Sequence, residues 1–421
     1  MADYLMLFSI SHVQSFISNS RKTQDLFNGS KIFSDMTKSQ LELLQNETST
    51  EVIFPAKTDK FMPNRLLIKV NNMDDSYIFE LADKLMKNFQ SQLLKLSFQT
   101  VDKSDPILRA QIQDYFKPHW SAVEMNESYE IAYNELERKH AGSKNLRMFE
   151  QLGKGAGEQG RKCSLCGEYN ALIYNDASKE KAEFISDEAI SIKSNLIKAT
   201  ESICAVCALK RLNKSPAFPS TAELAMKEIL SDEELRQLNE LNIDPEILYQ
   251  ENDVSKYLES DDNEEVAEKV EKLKIQIRTR CQMLGKTLPK YYALIMYDGD
   301  NMGKLLSGAE LKEDTNLRYF HQELTKAPSE NAKVSSKIVD QAGKTIYAGG
   351  DDFLGFCTLE KLLPTLKKLS ATFDQQVKQK LGHLLKLSSE ITMSAGVVIA
   401  HYKTPLHIVL NWARKMEKES K

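Results

Sequence analysis

Two stretches decide the fold: YYALIMYDGDNMG at residues 291–303 and KTIYAGGDDFLGFCT at residues 344–358. The first reads as an apolar strand that stops on Asp298 and Asp300. The second is two β-rich runs around Gly349, Gly350, Asp351 and Asp352, the composition of a tight hairpin turn. Helical text follows at 358–377, then an apolar strand at 391–402. An amphipathic helix at 405–420 opens on Pro405, a residue suited to a first helical position. The order β, α, β-turn-β, α, β, α predicts an α+β, ferredoxin-like unit: an antiparallel or mixed sheet with helices on one face.

Working outward, the N-terminal block repeats this order. YLMLFSI (4–10) reads as a strand, and helical text runs to residue 45. EVIFPA (51–56) and RLLIKV (65–70) read as a hairpin, residues 75–96 as a long helix, and YFKPHWSAVEM (115–125) as a closing strand. Laying FSISHVQ on YDGDNMG sets Ser9 over Asp298 and Ser11 over Asp300. Laying MPNRLL on GGDDFL sets Asn64 and Arg65 near Asp351 and Asp352. An internal repeat of roughly 120 residues is the economical reading, with carboxylates in one copy; a coincidence of two α+β blocks is the alternative. The predicted units are residues 1–125, a zinc-binding and helical block at 126–285, and residues 286–421.

Asp298, Asp300, Asp351 and Asp352 form the strongest constellation. Clustered carboxylates repel one another and are unfavourable without a cation, and hard ions such as Mg²⁺ or Mn²⁺ prefer oxygen ligands. Two such ions clamp the attacking and leaving oxygens at a phosphorus centre. Gly349 and Gly350 permit close approach by a phosphate. A second constellation is Cys163 and Cys166 with Cys204 and Cys207. Two CxxC pairs, 37 residues apart, suit a closed tetrahedral zinc site with no place for a reactive water. The metal is expected to hold the middle block together while leaving the outer units folded. Cys281 and Cys357 read as small core residues.

Other signals are weaker. GKGAGEQG (153–160) has no strand leading into it and no Lys-Ser/Thr ending, so it reads as a flexible loop. The charge-alternating run at 251–274 reads as a solvated helix face. Lys403, just past the last strand, reads either as a triphosphate ligand or as an ordinary surface lysine. The net charge of −4 argues against coating bare nucleic acid by bulk charge. No apolar stretch has the length of a membrane helix, and the N-terminus lacks the basic region of a signal peptide, so a cytoplasmic protein is expected.

HVQSFISNSRKTQDLFNGSKIFSD (12–35), MPNRLLIKV, KCSLCGE, CAVCALKR, FPSTAE (218–223), YDGDNMGK, YAGGDDFLGF and SAGVVIAHYKTPL together resemble the large subunit of Cmr-type (type III-B) CRISPR effector complexes. The resemblance covers nearly the whole chain. It implies two palm (cyclase/GGDEF-like) domains with a zinc-binding, largely helical insertion, and conversion of ATP to cyclic oligoadenylate when the complex holds target RNA. Donor ATP would lie at the four aspartates with two Mg²⁺ or Mn²⁺ ions, and Asn301, Gly303, Lys304, Gly349, Gly350 and Lys403 would bind phosphate. Ser11, Gln14, Arg21, Asn64 and Arg65 would hold the acceptor nucleotide. Implied partners are the other effector subunits, particularly the small and guide-end ones, with crRNA and target RNA through the complex and no membrane. Relatives carry an HD nuclease domain before the first palm and a helical domain after the second. This sequence starts at the first palm and has no His-Asp dipeptide, so DNA cleavage by that route is not expected; it stops at Lys421, before the helical domain that contacts other subunits in relatives. The rival function is a non-catalytic nucleotide- or RNA-binding scaffold in the same complex.

Overall fold

The computed structural model describes the chain except residues 56–60, 99–105, 146–159, 181–188, 193–195, 199, 214, 242, 250–262, 350 and 387. Most of the glycine-rich loop, the first half of the acidic run and Gly350 lie outside the described residues.

The N-terminal unit runs β1 (Ala2–Ile10), α1 (Val13–Ser18), α2 (Thr23–Gln45), β2 (Thr50–Phe54), β3 (Arg65–Met73), α3 (Asp75–Phe98), α4 (Pro106–Tyr115), β4 (Pro118–Glu124) and α5 (Tyr129–Asn145). Its antiparallel sheet has the order β2-β3-β1-β4. The middle of the chain holds β5 (Ile173–Asn175), α6 (Asp176–Glu180), β6 (Ile190–Ile192), β7 (Ser202–Ile203), α7 (Ala205–Arg211), α8 (Thr221–Met226), α9 (Asp232–Glu240) and α10 (Asn263–Met283). There β5 pairs with β6 and β7 in a small third sheet. The C-terminal unit runs β8 (Tyr291–Gly299), α11 (Met302–Leu306), α12 (Leu317–Ala342), β9 (Gly343–Gly349), β10 (Asp352–Thr358), α13 (Leu362–Phe373), α14 (Gln379–Leu381), β11 (Met393–His401) and α15 (Leu406–Ser420). Its antiparallel sheet has the order β9-β10-β8-β11.

The two large sheets are the same sheet twice, with β1, β2, β3 and β4 in the places of β8, β9, β10 and β11. Even the register agrees. Ser9 lies opposite Arg65. Tyr297 lies opposite Phe353, so one further step along the same ladder sets Asp298 against Asp352. The repeat also assigns a helix. α5 follows β4 as α15 follows β11, and α5 packs its Ala132, Tyr133 and Leu136 against Leu5, Leu7 and Val123 of the first sheet. A boundary at residue 125 therefore separates this helix from the sheet that it covers.

Helices cover both faces of each sheet, not one. In β1, Met6 and Phe8 face one core while Leu5 and Leu7 face another. In β8, Tyr292 and Leu294 face α15, while Ala293, Ile295 and Tyr297 face α12 and α13. Strands buried on both faces read as continuous apolar runs, which is how YLMLFSI and YYALIMY look. The extra cover comes from the other half of the molecule. α12 packs Phe320, Leu324 and Ala327 over Leu5, Leu7, Ile53 and Leu67 of the first sheet. α2 in turn packs against β9, with Leu26 in the second unit's core. Each half thus lends its long helix to the other's hairpin.

The cysteine-bearing segment belongs to this architecture rather than standing apart. Cys163, Cys204, Cys207 and Leu209 lie in one core with Phe16, Phe33 and Phe116. Arg211, only 2% exposed, donates from Nε to Asp25 Oδ1 at 2.7 Å and from Nη1 to Glu201 Oε2 at 2.7 Å. The four cysteines thus sit in the same core as the first unit rather than in a separate block.

Two buried histidines sit at the seams. His140 Nε2 lies 2.8 Å from Ser9 Oγ and Nδ1 lies 3.3 Å from Ser121 Oγ. His321 Nε2 donates to the Leu306 carbonyl at 2.8 Å, and Nδ1 accepts from Tyr129 Oη at 2.8 Å. Burial lowers His140 to about 3 and His321 to about 4. In acid the unfolded chain takes up protons that the folded state refuses, so stability falls as pH drops below about 6.5. Each histidine should cost on the order of 2 kcal/mol at pH 5. Thermal melts from pH 7 to pH 5 should show this fall, shallower in a His140→Asn/His321→Asn protein; equal slopes would contradict it. Arg211→Met strands the buried Asp25 carboxylate and should cost about 3–5 kcal/mol in urea unfolding. A loss under about 1 kcal/mol would show that the pair is not the tie it looks like.

Candidate nucleotide crevice and metal centre

The carboxylates converge at one edge of the second sheet. β8 ends on Asp298 and Gly299, and the β9–β10 turn carries Asp351 and Asp352 beside it. The Gly299 amide donates to the Asp351 carbonyl at 3.0 Å, which locks the strand end to the turn. A Cβ on Gly299 would lie 3.1 Å from Asp351 Cβ and 3.0 Å from the Met302 sulfur, so any larger residue would crowd this approach of the two segments. The Asp300 amide donates to the Thr392 carbonyl at 2.9 Å, and the Thr392 hydroxyl donates to Asp300 Oδ2 at 2.7 Å.

The electrostatics are those of a site short of positive charge. Burial and the neighbouring Asp298 carboxylate push Asp351 up to about 6. Crowding by the surrounding chain and the Asp351 charge also push Asp352 upward, although Asp352 keeps an open face to solvent. Lys421 supplies one counter-charge through its ion pair with Asp298, and it also pairs with Glu417. Asp300 Oδ1 is buried with no hydrogen-bond partner. An orphaned carboxylate oxygen beside mutually repelling carboxylates fits a hard divalent cation. No three of these aspartates bring oxygens within 4.8 Å of one another.

A cavity of about 230 Å³ opens from this edge toward the other half. Gly349, Asp351 and Asp352 line one wall, Asn64 and Arg65 line the facing one, and α12 contributes His321 and Thr325. Asn64 is held by a bond from Nδ2 to the Ile10 carbonyl at 2.8 Å. Arg65 is paired with Glu137 of α5. Where the second unit has Asp298, the first has Ser9, sealed from solvent against His140.

The other sequence candidates scatter. Asn301, at φ 55°, Gly303 and Lys304 sit exposed at the start of α11, beside the crevice but outside its lining. Ser11 is half-buried, its amide donating to Lys117, and Gln14 is exposed on α1. Arg21 is committed to the cysteine segment, donating to the Ser164 carbonyl at 2.6 Å. Lys403 is a correction. It follows β11 beyond His401, which pairs with Tyr291, whereas Asp298 pairs with Ser394 at the strand's other end. Seven residues of strand span roughly 23 Å, so Lys403 is at the wrong edge of the sheet for a phosphate at the aspartates. Its ammonium rests over the Tyr402 ring instead. The sequence reading missed Lys421, Thr392 and His321, none of which lies in a motif.

The four cysteines do come together, their Sγ atoms within 4.8 Å of one another. Cys166 and Cys204 are 3.7 Å apart at sulfur. A tetrahedron of metal–sulfur bonds near 2.3 Å has edges of about 3.8 Å, so the set fits a metal ion such as zinc. Cys204 caps α7, its sulfur accepting from the Cys207 amide at 3.4 Å.

Two repeated α+β units facing each other across a carboxylate-edged crevice, with a four-cysteine centre packed on one of them, define a two-palm protein of nucleotidyltransferase-like fold. The family model described as Cas10/Cmr2, second palm domain, matches residues 291–421, and that of the CRISPR-associated protein Cmr2, N-terminal, matches residues 5–139. The chain belongs to the Cas10/Cmr2 family, the large subunits of Cmr-type (type III-B) complexes. It is 25% identical to CRISPR system Cmr subunit Cmr2 of Pyrococcus furiosus over 98% of its own length, and it spans 59% of that relative. Its fold is also that of a chain in the type III-B Cmr-beta complex. The apo state gives a TM-score of 0.62 and the state bound to cognate target RNA 0.63, each at 15% identity over 99% of this chain. The match spans 67% and 68% of those chains.

Metal analysis of the purified protein should find about one thiolate-bound ion per chain. Cys163→Ser/Cys166→Ser should abolish it and lower the melting temperature by several degrees or more, since such a centre carries folding free energy. Full metal content in that variant would remove these cysteines from the ligand set.

Proposed function

We propose that this chain is the nucleotidyltransferase subunit of a type III-B effector complex, converting ATP to a cyclic oligoadenylate when the complex holds target RNA. The observation that carries the reading is the composite cavity, with Asp351 and Asp352 on one wall and Asn64 and Arg65 on the other. A donor triphosphate belongs at the aspartates and an acceptor nucleotide at the first palm, so that a 3′-hydroxyl of one meets the α-phosphorus of the other.

Asp298, Asp300, Asp351 and Asp352 would hold Mg²⁺ or Mn²⁺. Such ions supply charge neutralisation at the phosphorus and a lowered pKa for the attacking hydroxyl, so no side-chain base is needed. The chain's own part is positioning. The Gly299–Asp351 bond fixes the strand end against the turn, and Thr392 orients Asp300, whose unpartnered Oδ1 would be available to an ion. Arg65, released from Glu137, is placed to meet acceptor phosphates, and Asn64 holds the wall on which the acceptor rests. Asn301, Gly303, Lys304 and Gly349 flank the donor phosphates. The four-cysteine centre is assigned to zinc with a structural role, because four thiolates leave no open position. The complex's small and guide-end subunits, crRNA and target RNA are the proposed partners, and the cytoplasm the proposed location. Among the described residues no helix is long and apolar enough to cross a membrane.

In the assembled, target-bound complex, Asp351→Ala/Asp352→Ala should reduce product from labelled ATP by at least a hundredfold, with RNA binding unchanged. Mass spectrometry identifies the product. Undiminished product from that variant would overturn the assignment and leave the subunit as a scaffold.

A further inference from the structure

Lys210 is a charged residue with almost no exposure, 1%, and no carboxylate within ion-pair distance among the described residues. A buried ammonium is costly unless fully hydrogen-bonded. Its Nζ donates to the Phe16 carbonyl at 2.6 Å and to the Asn19 carbonyl at 2.5 Å, and it lies 4.7 Å from the Phe16 ring centre. These are the carbonyls at the C-terminal end of α1, which no further turn of helix satisfies. Lys210 sits one turn beyond Cys207 on α7, the helix whose first turn carries two of the four cysteines.

Four thiolates around a divalent ion leave a net charge of about −2. Arg211, next in sequence, is already committed to two carboxylates, Asp25 and Glu201. Lys210, one turn beyond Cys207, is a buried cation whose charge acts on the Cys207 thiol and offsets part of that negative charge. At its other end α1 is joined to β1 by only Ser11 and His12. Ile10 is bonded to Asn64 in both directions, amide to carbonyl at 2.9 Å and carbonyl from Nδ2 at 2.8 Å. A chain of direct contacts therefore runs from the cysteine-bearing helix through Lys210 and α1 to the wall of the crevice.

We propose that Lys210 is a positioning residue that ties occupancy of the four-cysteine centre to the placement of α1 and, through Ile10, of the Asn64 wall. With metal bound, α7 is anchored, the ammonium stays on the Phe16 and Asn19 carbonyls, and α1 is bolted at its C-terminal end. With metal lost, α7 loses its anchor, the bolt is withdrawn, and the crevice loses one fixed side while the carboxylate edge of the second palm stays intact. The part that concerns nucleotide rests on the reading of the crevice given above; the tie from metal to α1 does not.

The test is hydrogen exchange on the full chain, free of nucleotide. Lys210→Met should speed amide exchange at residues 13–18 and at Ile10 at least tenfold, with exchange in α15 unchanged as the sign of an otherwise folded protein. Lys210→Arg, which keeps the charge, should restore most of the protection. Stripping metal from the unmutated protein with a chelator should loosen the same segment, so the outcome does not depend on the variant folding. Lys210→Met should also release metal to a chelator several-fold faster. Unchanged exchange of α1 in Lys210→Met, or after stripping, would overturn the proposal. Binding of a non-hydrolysable ATP analogue with Mg²⁺ separates the two readings. Weaker binding in Lys210→Met extends the tie to the crevice. No binding by any form, with α1 loosened as described, removes the nucleotide reading and leaves the tie standing.

Discussion

A helix that has almost no solvent-facing side must find partners for most of the polar groups that it carries. α2 is such a helix: among its 23 residues only Glu42 and Gln45 are exposed. Its apolar residues divide between two cores, Ile32, Phe33 and Met36 in the first palm's and Leu26 in the second's. Several polar residues near its N-terminal end bind the third body. Asp25 takes Arg211, Asn28 donates to the Lys210 carbonyl at 2.7 Å, and Thr23 donates to the Pro219 carbonyl at 2.6 Å. Removing any of the three bodies would leave α2 with bare apolar surface or stranded polar groups. The chain accordingly behaves as one packed object rather than three domains on linkers.

The parts of this arrangement that were legible in the sequence were those encoded locally. A strand ending in Asp-Gly-Asp, a Gly-Gly-Asp-Asp turn and two CxxC pairs keep their meaning whatever surrounds them, because turn geometry and thiolate chemistry are properties of a few adjacent residues. The internal repeat was legible for a related reason: strand spacing and hairpin length survive when side chains diverge. Illegible features depended on direction and distance in space. Lys403 and Asp300 each stand just past a strand, and nothing in the sequence says that antiparallel pairing sends those ends to opposite edges. Arg21 lies close in sequence to Ser11 and Gln14, yet the turn between α1 and α2 aims it at Ser164. His140 and His321 sit in ordinary helical text, and their burial comes from a partner helix that sequence does not point to.

Charge is distributed unequally between the two halves, and this gives the crevice its polarity. The second palm concentrates carboxylates, and burial together with the Asp298 charge raises the proton affinity of Asp351, with Lys421 as partial relief. The first palm offers a neutral Ser9–His140 pair at the equivalent place, closed to solvent, and keeps its wall cation, Arg65, in a pair with Glu137. The crevice therefore has a carboxylate-rich edge on one side and the Arg65–Glu137 pair on the other. The asymmetry arises by substitution within a common frame, since the ladder positions of Ser9 and Asp298 are the same.

The exchange of helices between the halves, α2 onto β9 and α12 onto β2, has the form of a contact between identical subunits. In a homodimer built this way, every substitution is made twice, so losing the aspartates from one side would lose them from both. Covalent linkage in a single chain removes that restriction. One copy is free to differ from the other at the carboxylate positions, while the mate that it needs for burial is always present at high effective concentration. The asymmetric crevice is thus a possibility opened by tandem fusion, which no symmetric assembly of the same fold could reach.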